Sequence, residues 1–408
     1  MTLKSKFNEI WIHLFVFGFF FILYFDHRHI DILRFPFFGI IIWQLINKKL
    51  DLKFLFDPVS ICIFSFAAAA LISNFINQIP LNEIIKILNW LFPYYLGKYV
   101  IMEGEKIDFK TILIYLLTCA AIFAIIGIIG YLFNIQTLFG IKLFEAGHRY
   151  TFTISGTNRA GFCIGVTLII GFYFFIKNEF RITRASIYPF FSYPIIFGSL
   201  FLIKERKTII MVSLTIIIFL LVYKKYKILL IILISASLIP VLITIPGRYQ
   251  LTEMACNKGM LGRFNAWESA LGLFKEKPVF GHGYPSFKKA YSRYFHENKD
   301  KYRFKEFTQY GMAHNLNLNA LAETGILGFI ALNCIFFSAW RFFKYRHSEP
   351  LLFALGVTII FIYITMQFGN FVHSATRTDM AFIIFGFYAQ IEQHNRKKKI
   401  CQQVLKIN

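Results

Sequence analysis

The sequence predicts an all-α polytopic membrane protein of about 12 transmembrane helices with a helical loop domain outside the membrane. Three observations predict it. Hydrophobic residues make up 57% of the 408 residues and charged residues only 16%. The apolar residues come in runs of about 17 to 24, the length that crosses a bilayer core. Basic residues alternate between successive connections, as the positive-inside rule requires.

The runs fall near 8–25, 31–47, 55–74, 83–102, 111–133, 159–176, 187–203, 208–223, 227–245, 317–340, 350–368 and 378–392. The first follows Lys4 and Lys6, and no small-residue cleavage site comes after it. The chain continues Asp26-His27-Arg28-His29, so the run reads as an uncleaved helix. One set of connections holds Lys48-Lys49, Lys106/Lys110, Lys177/Arg181/Arg184, Lys224-Lys225, Arg341/Lys344/Arg346 and Arg396-Lys397-Lys398-Lys399. The other set is poor in Lys and Arg, so the first is expected to be cytoplasmic, with both termini inside. The formal charge of +22 then belongs to loops that face anionic lipid, and no nucleic-acid partner is expected. The cysteines form no CxxC spacing or pairable set. No internal repeat supports a transporter built on inverted halves.

One short connection breaks the charge pattern. Lys204-Glu205-Arg206-Lys207 falls on the outside yet carries three basic residues. A local violation of the rule marks a candidate functional site, because something else must hold those charges there. Four regions follow: 1–245 with nine transmembrane helices, 246–313 as a polar loop on the outer side with amphipathic helices, 314–392 with three more spans, and 393–408 as a basic cytoplasmic tail. Within the loop, Phe264, Trp267, Leu271 and Phe274 recur at helical spacing, so 264–275 reads as an amphipathic helix lying on the membrane or on the bundle. Pro278 ends it, Gly281-His282-Gly283 turns, and a second helix begins near Ser286.

Several residues can carry chemistry. His314 stands where the polar loop re-enters the membrane, and an imidazole there can act as a general base. Arg206 and Arg263 suit a pyrophosphate, because a guanidinium fork binds two phosphate oxygens and keeps its charge. Arg206, Arg263 and His314 come from three distant regions that the charge count places on one side. Arg149 and Arg159 flank a polar, turn-forming stretch that ends at Asn158.

His314-Asn315, nine residues, then Gly325-Ile326-Leu327-Gly328 resembles the His-Asn/Ser/Gln-x9-Gly-x-x-Gly pattern of O-antigen ligases. Arg206 resembles the family's Arg at the outer end of a mid-chain helix, although Glu205 stands where the family has Ser or Thr. Gly262-Arg263, Trp267, Pro278 and Gly281-His282-Gly283 resemble its second Arg and downstream Pro…Gly-x-Gly. Arg377 resembles a recurrent Arg before the last helix. The match runs from about Arg149 to Arg377.

The resemblance implies a metal-independent, inverting glycosyltransferase of the GT-C type without a cofactor, in the bacterial inner membrane. It would move a glycan from undecaprenyl pyrophosphate to a sugar hydroxyl of lipid A–core at the periplasmic face. His314 would be base or positioner of the acceptor, with Arg206 and Arg263 binding the pyrophosphate. Arg149, Asn158, Gly281, Gly283, Asn315 and Arg377 would contact substrate. An O-antigen polymerase uses the same donor and is the nearest alternative. A protein-glycosylating transferase usually has a longer chain with an additional periplasmic domain. A transporter or flippase would place ionisable residues within helices, where Lys86, Lys98, Asp57 and Asp379 are the candidates.

Overall fold

Helix starts are written locally in this chain. Asp57 caps the helix Pro58–Ile76 by accepting from the N–H groups of Val59 at 2.9 Å and Ser60 at 3.1 Å, while Ser60 returns a bond to the Asp57 N–H. Pro58 stands at the first helical position, where no N–H is needed. Asp108 and Asn315 cap two other helices in the same way.

The computed structural model describes residues 3–25, 30–48, 50–103, 108–138, 141–145, 149–150, 157–178, 187–227, 253–302, 310–368 and 375–407. Its helices are α1 (Leu3–Phe25), α2 (Asp31–Ile46), α3 (Pro58–Ile76), α4 (Ile84–Leu88), α5 (Leu91–Met102), α6 (Phe109–Leu132), α7 (Thr157–Gly171), α8 (Tyr173–Lys177), α9 (Ile187–Ile203) and α10 (Arg206–Val222). They continue as α11 (Glu253–Glu276), α12 (Phe287–Glu297), α13 (Leu316–Phe337), α14 (Pro350–Met366) and α15 (Ala375–Ile407). Two short antiparallel ladders lie between α6 and α7; one pairs Phe144 with Tyr150 and Glu145 with Arg149. The span expected at 227–245 lies outside the described residues. By length and composition Pro58–Ile76, Phe109–Leu132, Asn158–Lys177 and Leu316–Tyr345 can cross a membrane, and five shorter apolar helices accompany them among the described residues. α15 continues as a helix through the residues of the expected basic tail to Ile407.

The run expected at 317–340 is two helices rather than one. Gly325 has φ 64° and ψ −162°, outside the helical region. Asn333 Nδ2 donates to Asn317 Oδ1 at 3.1 Å, although 16 residues separate them. On a straight helix that separation is about 24 Å, so the chain folds back at Gly325 and the arms 316–324 and 326–337 run side by side. Tyr363 of α14 closes their open end, accepting from Asn317 and donating to Asn333, both at 2.9 Å.

A break of this kind leaves orphan carbonyls on one arm and orphan N–H groups on the other. The turn at 278–283 supplies both sets of partners. His282 N–H and Gly283 N–H donate to the carbonyls of Ala322 and Glu323 at 3.0 and 2.8 Å, and Ile326 N–H donates to the Pro278 carbonyl at 2.9 Å. Ser73 of α3 adds a bond from its hydroxyl to the Glu323 carbonyl at 2.9 Å. Asn74 brackets Tyr284, its Oδ1 accepting the backbone N–H at 2.5 Å and its Nδ2 donating to the carbonyl at 2.6 Å. The outer end of α3 thus clamps the turn that caps α13.

α11 and α12 form a second, smaller core. Ala266, Ala270 and Leu273 pack on Phe287, Tyr291 and Phe295, with Tyr302 stacked on Phe295 at 4.7 Å. Of the stripe expected to seat α11 on the membrane or on the bundle, Trp267 and Phe274 are half-buried, while Phe264 and Leu271 are each 46% exposed and stand away from this core. Small residues occupy the buried face because they let the neighbouring helices approach closely.

At the opposite end of the bundle, Lys98 is 1% exposed. It donates to Asp57 Oδ2 and to the Phe54 carbonyl, both at 2.5 Å, and lies 4.5 Å from the Phe54 ring centroid. Tyr94 donates to the other Asp57 oxygen at 2.6 Å. The charge of Lys98 is therefore satisfied within the fold. Lys86 is an exposed partner of Glu83.

Candidate active site

His314 precedes the N-cap of α13 and has φ 53°, in the left-handed region. Histidine tolerates this region better than most residues. Its ring stands edge-on to Tyr310, with centroids 5.0 Å apart. Tyr310 in turn rests on Gly262, where an added Cβ would come within 2.5 Å of the Tyr310 hydroxyl. Gly262 therefore makes room for the tyrosine that orients His314, and it places the next residue, Arg263, beside the same histidine. Asn315 is the N-cap itself, accepting from Leu318 N–H at 3.0 Å. Of the histidines in the loop, His282 is engaged elsewhere: its Nε2 lies 3.0 Å from the Leu273 carbonyl.

The imidazole of His314 is held down to about 4, first by burial and then by Arg263, Lys207 and Arg377. Burial disfavours the charged ring, and three cations repel a fourth. The ring is accordingly neutral at pH 7. These cations arrive from α11, α10 and α15, which the sequence separates widely. Arg377 is 8% exposed, and neither its Nε nor Thr376 Oγ1 has a hydrogen-bond partner among the described residues. Arg159 of α7 lies within electrostatic reach of Arg377.

Lys204 and Glu205 make the tight turn between α9 and α10. Lys204 takes φ 56°, and Glu205 caps α10 by accepting from Thr208 N–H at 3.0 Å and from the Thr208 hydroxyl. Glu205 is 5% exposed and pairs with Lys207 at 3.2 Å. A capping oxygen is what Ser or Thr would also supply at this position, so the Glu205 departure preserves the local geometry. It also removes part of the cationic charge.

Of the residues expected at the site, His314, Arg263 and Arg377 are within one electrostatic cluster. Arg206 is the first residue of α10, beside Lys207, and its side chain lies outside the described residues. Arg149 pairs with Glu145 in a ladder, and its side chain is likewise outside them. Asn158 is exposed, one position from Arg159. Gly281, with φ 68°, lies against the Glu323 backbone, where a Cβ would come within 2.5 Å; Gly283, with φ 95°, lies against Ile79. Both glycines thus have a packing role in the cap of α13. Lys207 and Tyr310 are the residues that sequence reasoning did not single out. Lys207 was visible as part of the anomalous basic turn, but Tyr310 carries no local signal. Among the described residues, no group of three or more His, Cys, Asp or Glu side chains is disposed to hold a metal ion.

Residues 191–333 match the sequence profile described as O-antigen ligase. That stretch contains the α9–α10 turn, α11, the 278–283 turn, His314 and both glycines of the Gly325–Gly328 pattern. A 77-residue stretch is 38% identical to an uncharacterized protein of Haemophilus influenzae, covering 19% of this chain and 18% of that protein.

Proposed function

We propose that this chain, which belongs to the O-antigen ligase family through residues 191–333, transfers a glycan from undecaprenyl pyrophosphate to a sugar hydroxyl of lipid A–core. The observation that carries the reading is a buried histidine within electrostatic reach of cations from three separate helices. A lipid-linked sugar leaves as a pyrophosphate, and its departure concentrates negative charge. Arg206, Arg263, Lys207 and Arg377 are the groups that would take up that charge. A neutral His314 can accept the proton of the attacking hydroxyl, whereas an imidazolium cannot.

Direct attack of the hydroxyl on the anomeric carbon inverts it. The bond to the pyrophosphate oxygen breaks as the new glycosidic bond forms, and the hydroxyl proton passes to His314. Guanidinium groups supply the charge stabilisation, so the step needs no metal. In this reading the chain has twelve spans and the GT-C arrangement, with cytoplasmic termini in the inner membrane. The end of the bundle that holds His314 then faces the periplasm, and Arg149, Asn158 and Asn315 are proposed to contact substrate there.

The test uses purified protein with lipid-linked glycan and lipid A–core. Product on the core supports the reading; product only on the lipid carrier selects the polymerase reaction. His314→Ala, Arg206→Ala and Arg263→Ala variants that insert normally should fail to cap lipid A–core in a knockout strain, read as full-length lipopolysaccharide on a gel. Normal capping by all three variants overturns the reading.

A further inference from the structure

Two hydrogen bonds end on the carboxylate of Glu323, one from the start of α12 and one from the preceding turn of its own helix. This residue lies in the last turn of the first α13 arm and is 1% exposed. Its Oε1 accepts from the backbone N–H of Phe287, the first residue of α12, at 3.0 Å. Its Oε2 accepts from Asn319 Nδ2 at 2.6 Å. Asn319, also 1% exposed, turns its Oδ1 to the backbone N–H of Ala313 at 3.0 Å. Ala313 is fully buried and directly precedes His314, whose φ of 53° is the strained one. A carboxylate at this point therefore holds, through one amide, the backbone on which the histidine stands.

The direction of the bonds specifies the residue types. Among the described residues one donor ends on each oxygen of Glu323, so both oxygens accept, which a carboxyl group can do and a carboxamide cannot. The asparagine must give its NH2 to Glu323 and its oxygen to Ala313. We propose that Glu323 is a positioning residue for the transfer reaction, fixing His314 through Asn319 without touching substrate. This rests on reading His314 as the group that receives the acceptor's proton.

The same logic supplies the test, since reversing the polarity of the pair preserves these three bonds. In Glu323→Gln alone, the new NH2 faces the NH2 of Asn319. In Asn319→Asp alone, two carboxylates face each other. In the double variant, the carboxylate at position 319 accepts from both the Ala313 N–H and the new amide NH2 at position 323. The amide oxygen at position 323 still accepts from the Phe287 N–H. Two quantities are measured on full-length protein in detergent: steady-state transfer from lipid-linked glycan to lipid A–core, and hydrogen exchange of the peptide containing the Ala313 amide. Each single variant is expected to lower kcat by roughly tenfold to hundredfold with KM within about threefold, the scale of one buried donor left unpaired. The double variant should recover to within about fivefold of the parent, and Ala313 protection should fall and return in step. A double variant no better than the worse single one, or parental kcat and protection in Glu323→Gln, overturns the proposal. Protection that follows the swap in a parent protein that transfers no glycan supports the relay and overturns the ligase reading.

Discussion

A histidine buried beside three cations releases its proton early. His314 is lowered to about 4, first by burial and then by Arg263, Lys207 and Arg377. As a base it must be neutral, so the acid limb of kcat/KM is expected below the ordinary histidine value of about 6.5. Arg263→Gln removes the foremost of the three repelling charges and should move that limb to higher pH. The bound pyrophosphate offsets the same cations, so the limb of kcat should lie above that of kcat/KM. A kcat/KM limb at or above about 6.5 would show that His314 is not the group titrating. His314→Ala should cost about 10²-fold or more in kcat. The same shift links pH to stability. Between about 6.5 and about 4 the unfolded chain binds a proton that the folded ring refuses. His314 therefore makes the protein less stable as pH falls through that window.

The reversal in α13 is the element on which the site depends. Gly325 has φ 64°, and a Cβ there would run into the Val279 carbonyl oxygen. Gly325→Ala therefore combines backbone strain with a backbone clash and should cost about 2 kcal/mol or more. Gly328→Ala meets the Thr324 side chain, which has more freedom to give than backbone, so the smaller loss is expected there. Asn74→Ala removes two buried bonds to the Tyr284 backbone and should cost about 1–3 kcal/mol. Thermal unfolding in detergent ranks the three. Equal midpoints for Gly325→Ala and the parent would mean that the chain does not turn there. The first 140 residues share only apolar character with the rest in sequence, yet α3 reaches the site through Ser73, Asn74 and Asn77.

At the scale of the whole molecule, two of the charged clusters among the described residues differ in how their charge is met. The cluster of Lys98 and Asp57 is a closed ion pair, each charge bonded to protein. Removing one partner of such a pair leaves a buried charge and costs about 3–5 kcal/mol, whereas replacing both by apolar residues is often neutral. Lys98→Ala should lower the unfolding midpoint, and Lys98→Met with Asp57→Leu should recover most of it while transfer continues. Loss of transfer in a stable double variant would assign this pair a role beyond folding. The other cluster keeps cations whose charge is only partly met: Glu205 pairs with Lys207, while Arg377 Nε has no hydrogen-bond partner among the described residues. This is the charge that the proposed pyrophosphate would meet.

By itself the sequence determined the apolar runs and the turn after Pro278, and it singled out His314, Arg206 and Arg263 as candidates from three distant regions. The runs and the turn are written locally, in the length of a hydrophobic stretch and in the residues that end a helix. Tertiary structure alone decided that 316–337 folds back on itself. Both arms are apolar, so composition does not distinguish one helix from two; the break is possible because the 278–283 turn, far earlier in the chain, satisfies the orphan backbone groups. It also decided which face of α11 is buried, since close approach to α12 favours alanine over the aromatic stripe that periodicity selects. Lys207, Tyr310 and Glu323 joined the site for the same reason: their neighbours lie far away along the chain, and only packing brings them together.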